Sequence, residues 1–173
     1  MIDLKRTVYL IGDINDEKTP LVWEKILEIH SKDCKTSGKP INLIINSGGG
    51  HVMVMFSFYD LVPLLDINLH TIGSGLIGSA AVIIFCTGLK RMVTPNSVFF
   101  FHEIGLRFEQ IRLTDGDYRY KLNHLKKSNE QYAKIVASTS NLSKKDVLDM
   151  MKEEVYIYPS EALKMGLVDE IVK

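Results

Sequence analysis

The chain is poor in cysteine: among its 173 residues only Cys34, in a polar loop, and Cys86, in an apolar run, carry a thiol. Two cysteines so placed exclude a disulfide framework and favour a reducing compartment, expected here to be the cytoplasm. An excess of charge is also missing. Twenty-one basic and twenty-one acidic side chains give a formal net charge of zero, which excludes the electrostatic footprint of a nucleic-acid or anionic-membrane binder. The pairs Lys126-Lys127 and Lys144-Lys145 read as solvated helix faces. No long hydrophobic run occurs. The window 75–86 is interrupted by Gly and Ser and is too short to span a bilayer. Met1 to Arg6 lead straight into a strand without the apolar core of a signal peptide. His30, His70 and His124 lack metal-ligand spacing, and neither a metal nor another cofactor is expected.

What is present is an alternation of short β-branched runs and helical patterns. The length suits one domain over residues 1–173. Strands are expected at 7–11, 41–46, 67–73, 92–94, 98–102 and 155–158, and helices at 18–31, 51–65, from Ser79 to about Thr87, at 117–138, after Ser143, and at 159–165. Ser143 and Asp146 have capping-box character. Strand–helix–strand repetition with short connections predicts an α/β domain built from βαβ units. No tandem repeat, low-complexity tract or interdomain linker interrupts it.

Three features stand where ligands collect in such sheets, beyond the carboxyl ends of strands. Ser79 lies between an apolar strand and an apolar helix, flanked by Gly78 and Ala80. A nucleophile there would meet free backbone N–H groups and the positive end of the helix. A plain capping serine satisfies the same pattern. Gly48-Gly49-Gly50 forms a strand-to-helix loop whose unshielded N–H groups can face an oxyanion. His102 ends the apolar run Val98 to Phe101, where an imidazole is out of place without a partner.

In this order the features resemble the Clp protease proteolytic subunit family of serine peptidases, over nearly the whole chain. Asn46-Ser47-Gly48-Gly49-Gly50 stands where that family has N-S-P-G-G, and Gly75-Leu76-Ile77-Gly78-Ser79-Ala80-Ala81 where it has G-M-A-A-S-M-G. Pro95-Asn96-Ser97, then His102, match P-N-S and the I-H pair, and residues 161–169 match E-A-x-x-x-G-L-V-D. The resemblance implies a spiral of βαβ units with a projecting handle helix (about 103–138). It implies Ser79 as nucleophile, His102 as general base, and the N–H groups of Gly49 and Ala80 as an oxyanion hole. The third triad position, an Asp in the family, falls on Glu154, with Glu153 as its neighbour. It also implies a homo-oligomer of heptameric or stacked rings, peptide or unfolded-protein substrates, and an AAA+ ATPase partner. Against that partner, the chain starts about six residues before its first strand, leaving no room for the family's axial loop.

Further departures are Gly48 for the family's Pro, which raises backbone freedom, and His51 for a small hydroxyl residue, read as an incidental helix-start position. Two other readings accompany the peptidase: a non-catalytic ring subunit, and a crotonase-type acyl-CoA enzyme, which shares the spiral core and a glycine-loop anion pocket.

Overall fold

The computed structural model describes residues 2–32, 38–105 and 114–172. Cys34, the start of the loop at 37–40 and part of the expected handle lie outside them. A parallel sheet runs through the chain in the order β1 (Thr7–Ile11), β2 (Ile41–Ser47), β3 (Leu69–Gly78), β4 (Lys90–Val93) and β7 (Glu170–Ile171). The crossovers contain α1 (Lys18–Lys32), α2 (Val52–Leu64) and α3 (Ala80–Phe85). α3 is buried on every side; it packs on α2, β2 and β3, and α1 packs on β1 and β2. This is the α/β arrangement expected from the alternating pattern.

β3 differs from expectation in a way that builds the site. The reading of a strand ending at Gly73 fails because Gly73, Gly75 and Gly78 look like breakers, yet the strand continues to Gly78. Its pairing with β2 slips between Ile45↔Gly73 and Ser47↔Ile77, a bulge of the kind that re-aims a strand. Gly75 takes φ 96° there, and a Cβ on it would lie 2.8 Å from Asn46 Oδ1. The Asn46 side chain enters the bulge and accepts the Leu76 N–H at 3.1 Å. Before the bulge, β3 pairs with β4; beyond it, Leu76 to Gly78 pair with β5 (Val98–Phe100) instead. One strand thus serves the core sheet with its first half and delivers Ser79 beside β5 with its second.

β5 also pairs antiparallel with β6 (Tyr156–Ile157). α4 (Asp115–Ser138) starts two residues earlier than expected, at a capping box between Thr114 and Asp117. The expected box between Ser143 and Asp146 opens α5 (Lys144–Glu153), and α6 (Pro159–Lys164) follows. The sequence sets Tyr118, Leu122, Leu125, Tyr132 and Val136 on one stripe of α4, and the helix divides in two. Tyr132 and Val136 are buried against the body, whereas Tyr118, Tyr120 and Leu122 are exposed on the half that projects.

Candidate active site

Ser79 is forced into a conformation that a side chain rarely adopts, φ 52° and ψ −122°, at a cost of roughly 1–3 kcal/mol. Two neighbours impose it. Its N–H donates to the Phe100 carbonyl at 2.9 Å, extending the β3–β5 pairing, while its own carbonyl accepts the Val82 N–H at 3.0 Å as α3 begins. The hydroxyl makes no capping bond. The bland reading of Ser79 as a helix cap therefore has no hydrogen bond to support it. α3 is only six residues long, so its dipole adds little; the donors that matter are individual N–H groups. As the first residue of the helix, Ala80 has an N–H with no intrahelical acceptor.

The glycine loop is clamped from both sides. Ile14 N–H donates to the Gly49 carbonyl at 2.9 Å, and His51 N–H donates to the Ile14 carbonyl at 2.8 Å. A Cβ on Gly50, φ 150°, would sit 2.1 Å from the Ile14 carbonyl oxygen. A Cβ on Gly49, φ 109°, would sit 2.7 Å from Ser79 Cβ and 2.9 Å from the Ala80 nitrogen. Gly49 therefore lies directly against the serine turn. Its N–H donates to the buried Ser47 hydroxyl at 3.1 Å, a neutral acceptor that an oxyanion would outcompete.

His102 follows β5 and stacks on Phe100, ring centroids 5.3 Å apart; Phe100 stacks in turn on Tyr156 at 4.5 Å. Ser79 and His102 line one cleft of about 790 Å³ together with Gly48, Gly50, His51 and His124. Among the described residues, Ser79 Oγ and the His102 ring are not joined by a hydrogen bond; such bonds are often long or poorly aligned without substrate. The expected third position lies beside the end of the β5–β6 pairing. Phe99 pairs with Ile157 and Phe100 with Tyr156, and Phe101 N–H donates to the Val155 carbonyl at 3.0 Å. The ladder ends there, with Glu154 just before Val155 and Glu153 closing α5. Glu154 itself is exposed and caps α5 in the left-handed conformation, φ 54°. Its carboxylate makes no hydrogen bond to His102 among the described residues.

Four contributors escape sequence reasoning. Ile14 pairs with the glycine loop from a segment that carries no motif, and Ser47 holds Gly49. His124, read as a histidine without a role, lines the cleft with His51. Tyr132 donates its hydroxyl to the Ser79 carbonyl at 3.1 Å. Burial pushes that phenol well above its ordinary pKa, so it donates as the neutral group. Only Ser47, directly before three glycines, offered a visible cue.

The structure thus holds a strained serine against a side-chain-free amide loop, with an imidazole lining the same cleft of an α/β fold. The family model for Clp protease matches residues 1–173, and the chain belongs to that family. It is 28% identical over 172 residues to ATP-dependent Clp protease proteolytic subunit 4, chloroplastic, of Arabidopsis thaliana, covering 97% of this chain and 56% of that relative. It is 26% identical over 170 residues to ATP-dependent Clp protease proteolytic subunit 2 of Treponema denticola, covering 97% and 82%. The chain thus spans little more than half the length of the first relative. A solved ClpP1 mutant from Listeria monocytogenes superposes with a TM-score of 0.83 at 24% identity, over 98% of this chain and 92% of that one, and shares the fold. Among the described residues no helix is long and apolar enough to cross a membrane, and no cluster of three or more His, Cys, Asp and Glu could hold a metal ion.

Proposed function

We propose that the chain is a serine endopeptidase subunit that cleaves unfolded proteins or short peptides inside an oligomeric ring. The observation that carries this reading is the contact between Gly49 and the Ser79–Ala80 turn. It supports an oxyanion pocket formed by the Gly49 and Ala80 N–H groups next to a hydroxyl that makes no capping bond. His102 takes the Ser79 proton as the oxygen attacks a peptide carbonyl, and the N–H groups of Gly49 and Ala80 hold the resulting oxyanion. His102 then returns the proton to the departing amine, and water, activated by the same imidazole, releases the acyl group. Glu154 orients the imidazole after a rotamer change that brings its carboxylate inward from solvent. Ile14 occupies one edge of the glycine loop, so an extended substrate pairs along the other edge and along residues 103–105.

The ring is supported by the projecting half of α4, where Tyr118 and Tyr120 are 58% and 77% exposed and would be covered by another subunit. The similar proteins are described as ATP-dependent, and an ATPase partner is proposed on that likeness alone. A cytoplasmic location belongs to the same reading. One observation favours a second reading, a non-catalytic ring subunit: among the described residues the exposed Glu154 makes no bond to the imidazole. Nothing in the structure favours the acyl-CoA alternative. Labelling with a fluorophosphonate separates the readings. The peptidase reading expects covalent labelling and peptide hydrolysis, both lost in Ser79→Ala; an unlabelled, correctly folded ring would establish the scaffold.

A further inference from the structure

One turn of α4 touches both halves of the proposed site. Tyr132 is 1% exposed, and its hydroxyl donates to the carbonyl of Ser79, an oxygen that already accepts the Val82 N–H. Its ring stands edge-on to Phe101, the residue before His102, with centroids 6.4 Å apart and planes at 86°. Three residues earlier on the same helix face, Asn129 Oδ1 accepts the N–H of Ile104 at 2.9 Å, two residues past His102. A buried phenol needs a partner for its hydroxyl, and a phenylalanine would fill the same volume without one. The hydroxyl is satisfied at the strained turn and not within its own helix. Ile104 N–H likewise finds its acceptor on α4 instead of in the β5–β6 ladder, which extends no further than Phe101.

We propose that Tyr132 and Asn129 are positioning residues, a pair one helical turn apart that fixes the spacing between the Ser79 turn and the segment carrying His102. Neither touches substrate. Each holds the backbone of one partner, and because both stand on one rigid helix, the distance between hydroxyl and imidazole is set by α4. The proposal rests on the peptidase reading given above. An error of about 1 Å in such a spacing can cost up to a hundredfold in rate.

Three variants test it. Tyr132→Phe keeps the ring and its contact with Phe101 while removing the donor. Asn129→Leu removes the acceptor, and Asn129→Asp keeps one. Labelling of Ser79 at saturating fluorophosphonate and peptide hydrolysis are followed together with amide hydrogen exchange at residues 79–82 and at Ile104. Tyr132→Phe and Asn129→Leu are expected to lower kcat and the limiting labelling rate roughly tenfold, with KM within about twofold. Exchange should quicken at the Ser79 turn in the first and at Ile104 in the second. Asn129→Asp should stay within about twofold of wild type. A Tyr132→Phe protein with lowered melting temperature but unchanged kcat per folded molecule overturns the proposal, because the hydroxyl then serves packing alone. Should Asn129→Leu fail to fold, an Asn129→Asp protein as slow as Tyr132→Phe also overturns it, since a retained acceptor has then rescued nothing. If the wild-type protein is not labelled, the peptidase reading fails by itself. The exchange data still decide the proposal, and unchanged exchange in Tyr132→Phe and Asn129→Leu refutes it.

Discussion

Replacing Gly49 by alanine adds one methyl group where the glycine loop meets the serine turn. That carbon would lie 2.7 Å from Ser79 Cβ, 2.8 Å from the Gly78 carbonyl oxygen and 2.9 Å from the Ala80 nitrogen. Two of the three neighbours are backbone atoms, and the third is a Cβ fixed by its backbone. None can swing aside. Bringing the first contact to the 3.4 Å of an ordinary close approach requires the loop and the turn to part by about 0.7 Å. An oxyanion donor works within roughly 2.7–3.1 Å, so that separation takes the Gly49 N–H out of range while Ala80 stays with the serine. Loss of one such donor lowers kcat by about 10²–10³. Alanine at φ 109° adds roughly 1–3 kcal/mol of strain, within the stability of a typical domain, and lowers Tm by about 2–4 °C for each kcal/mol in a chain of this size. The expected result is a folded protein with kcat down at least a hundredfold on a fluorogenic peptide and KM little changed. Gly48→Ala is the control. Its Cβ would meet only Leu76 Cδ2, at 3.7 Å, and it should retain activity within about threefold and gain a few tenths of a kcal/mol in stability. A Gly49→Ala protein with kcat within threefold of wild type refutes the two-amide oxyanion pocket.

Glu154→Gly separates the two things that residue does. Glycine suits the left-handed cap at φ 54° and should raise stability by about 1 kcal/mol, seen as a higher Tm, while removal of the carboxylate lowers kcat by about a hundredfold or more if it orients His102; an unchanged kcat removes Glu154 from the mechanism. A different carboxylate contributes to acid stability. Burial pushes the Asp169 pKa up, but hydrogen bonds from the Arg91 backbone at 2.7 Å and from its guanidinium at 2.8 Å outweigh this and hold it below the ordinary value. A depressed folded-state pKa stabilises the protein above the unfolded-state value, near 4, and that contribution disappears as pH falls through the folded pKa. Urea unfolding between pH 6 and pH 2.5 should therefore show a steeper acid loss in wild type than in Asp169→Asn; parallel curves would refute the linkage.

The parts of the site that are single residues with odd chemistry were legible in the sequence: a serine at an apolar turn, three glycines after a strand, a histidine closing an apolar run. What escaped was geometry written in residues that look ordinary. Gly73, Gly75 and Gly78 read as breakers because glycine weakens strands, but the Asn46 side chain stabilises the bulge at Gly75 and the strand runs on. Tyr132 read as one apolar member of a helical stripe, since periodicity registers its ring and not its hydroxyl. The stripe itself was one pattern serving two purposes, half packed on the body and half exposed. Motif spacing pointed to Glu154, with Glu153 beside it, yet no pattern announces a non-glycine residue with positive φ, which depends on how α5 ends against Val155. Ile14 contributes only its backbone to the glycine loop, and backbone roles leave no trace in residue type.

On the peptidase reading, the loop that would cradle the scissile carbonyl has no space in which to evolve. With Ile14 closing one side and the serine turn the other, positions 49 and 50 admit no side chain at all, so selection for a different diet cannot act there. It is left other residues lining the cleft, among them His51, Met53 and His124. On that reading, a descendant of this chain could exchange those three and change what it cuts, while inheriting how it cuts unaltered.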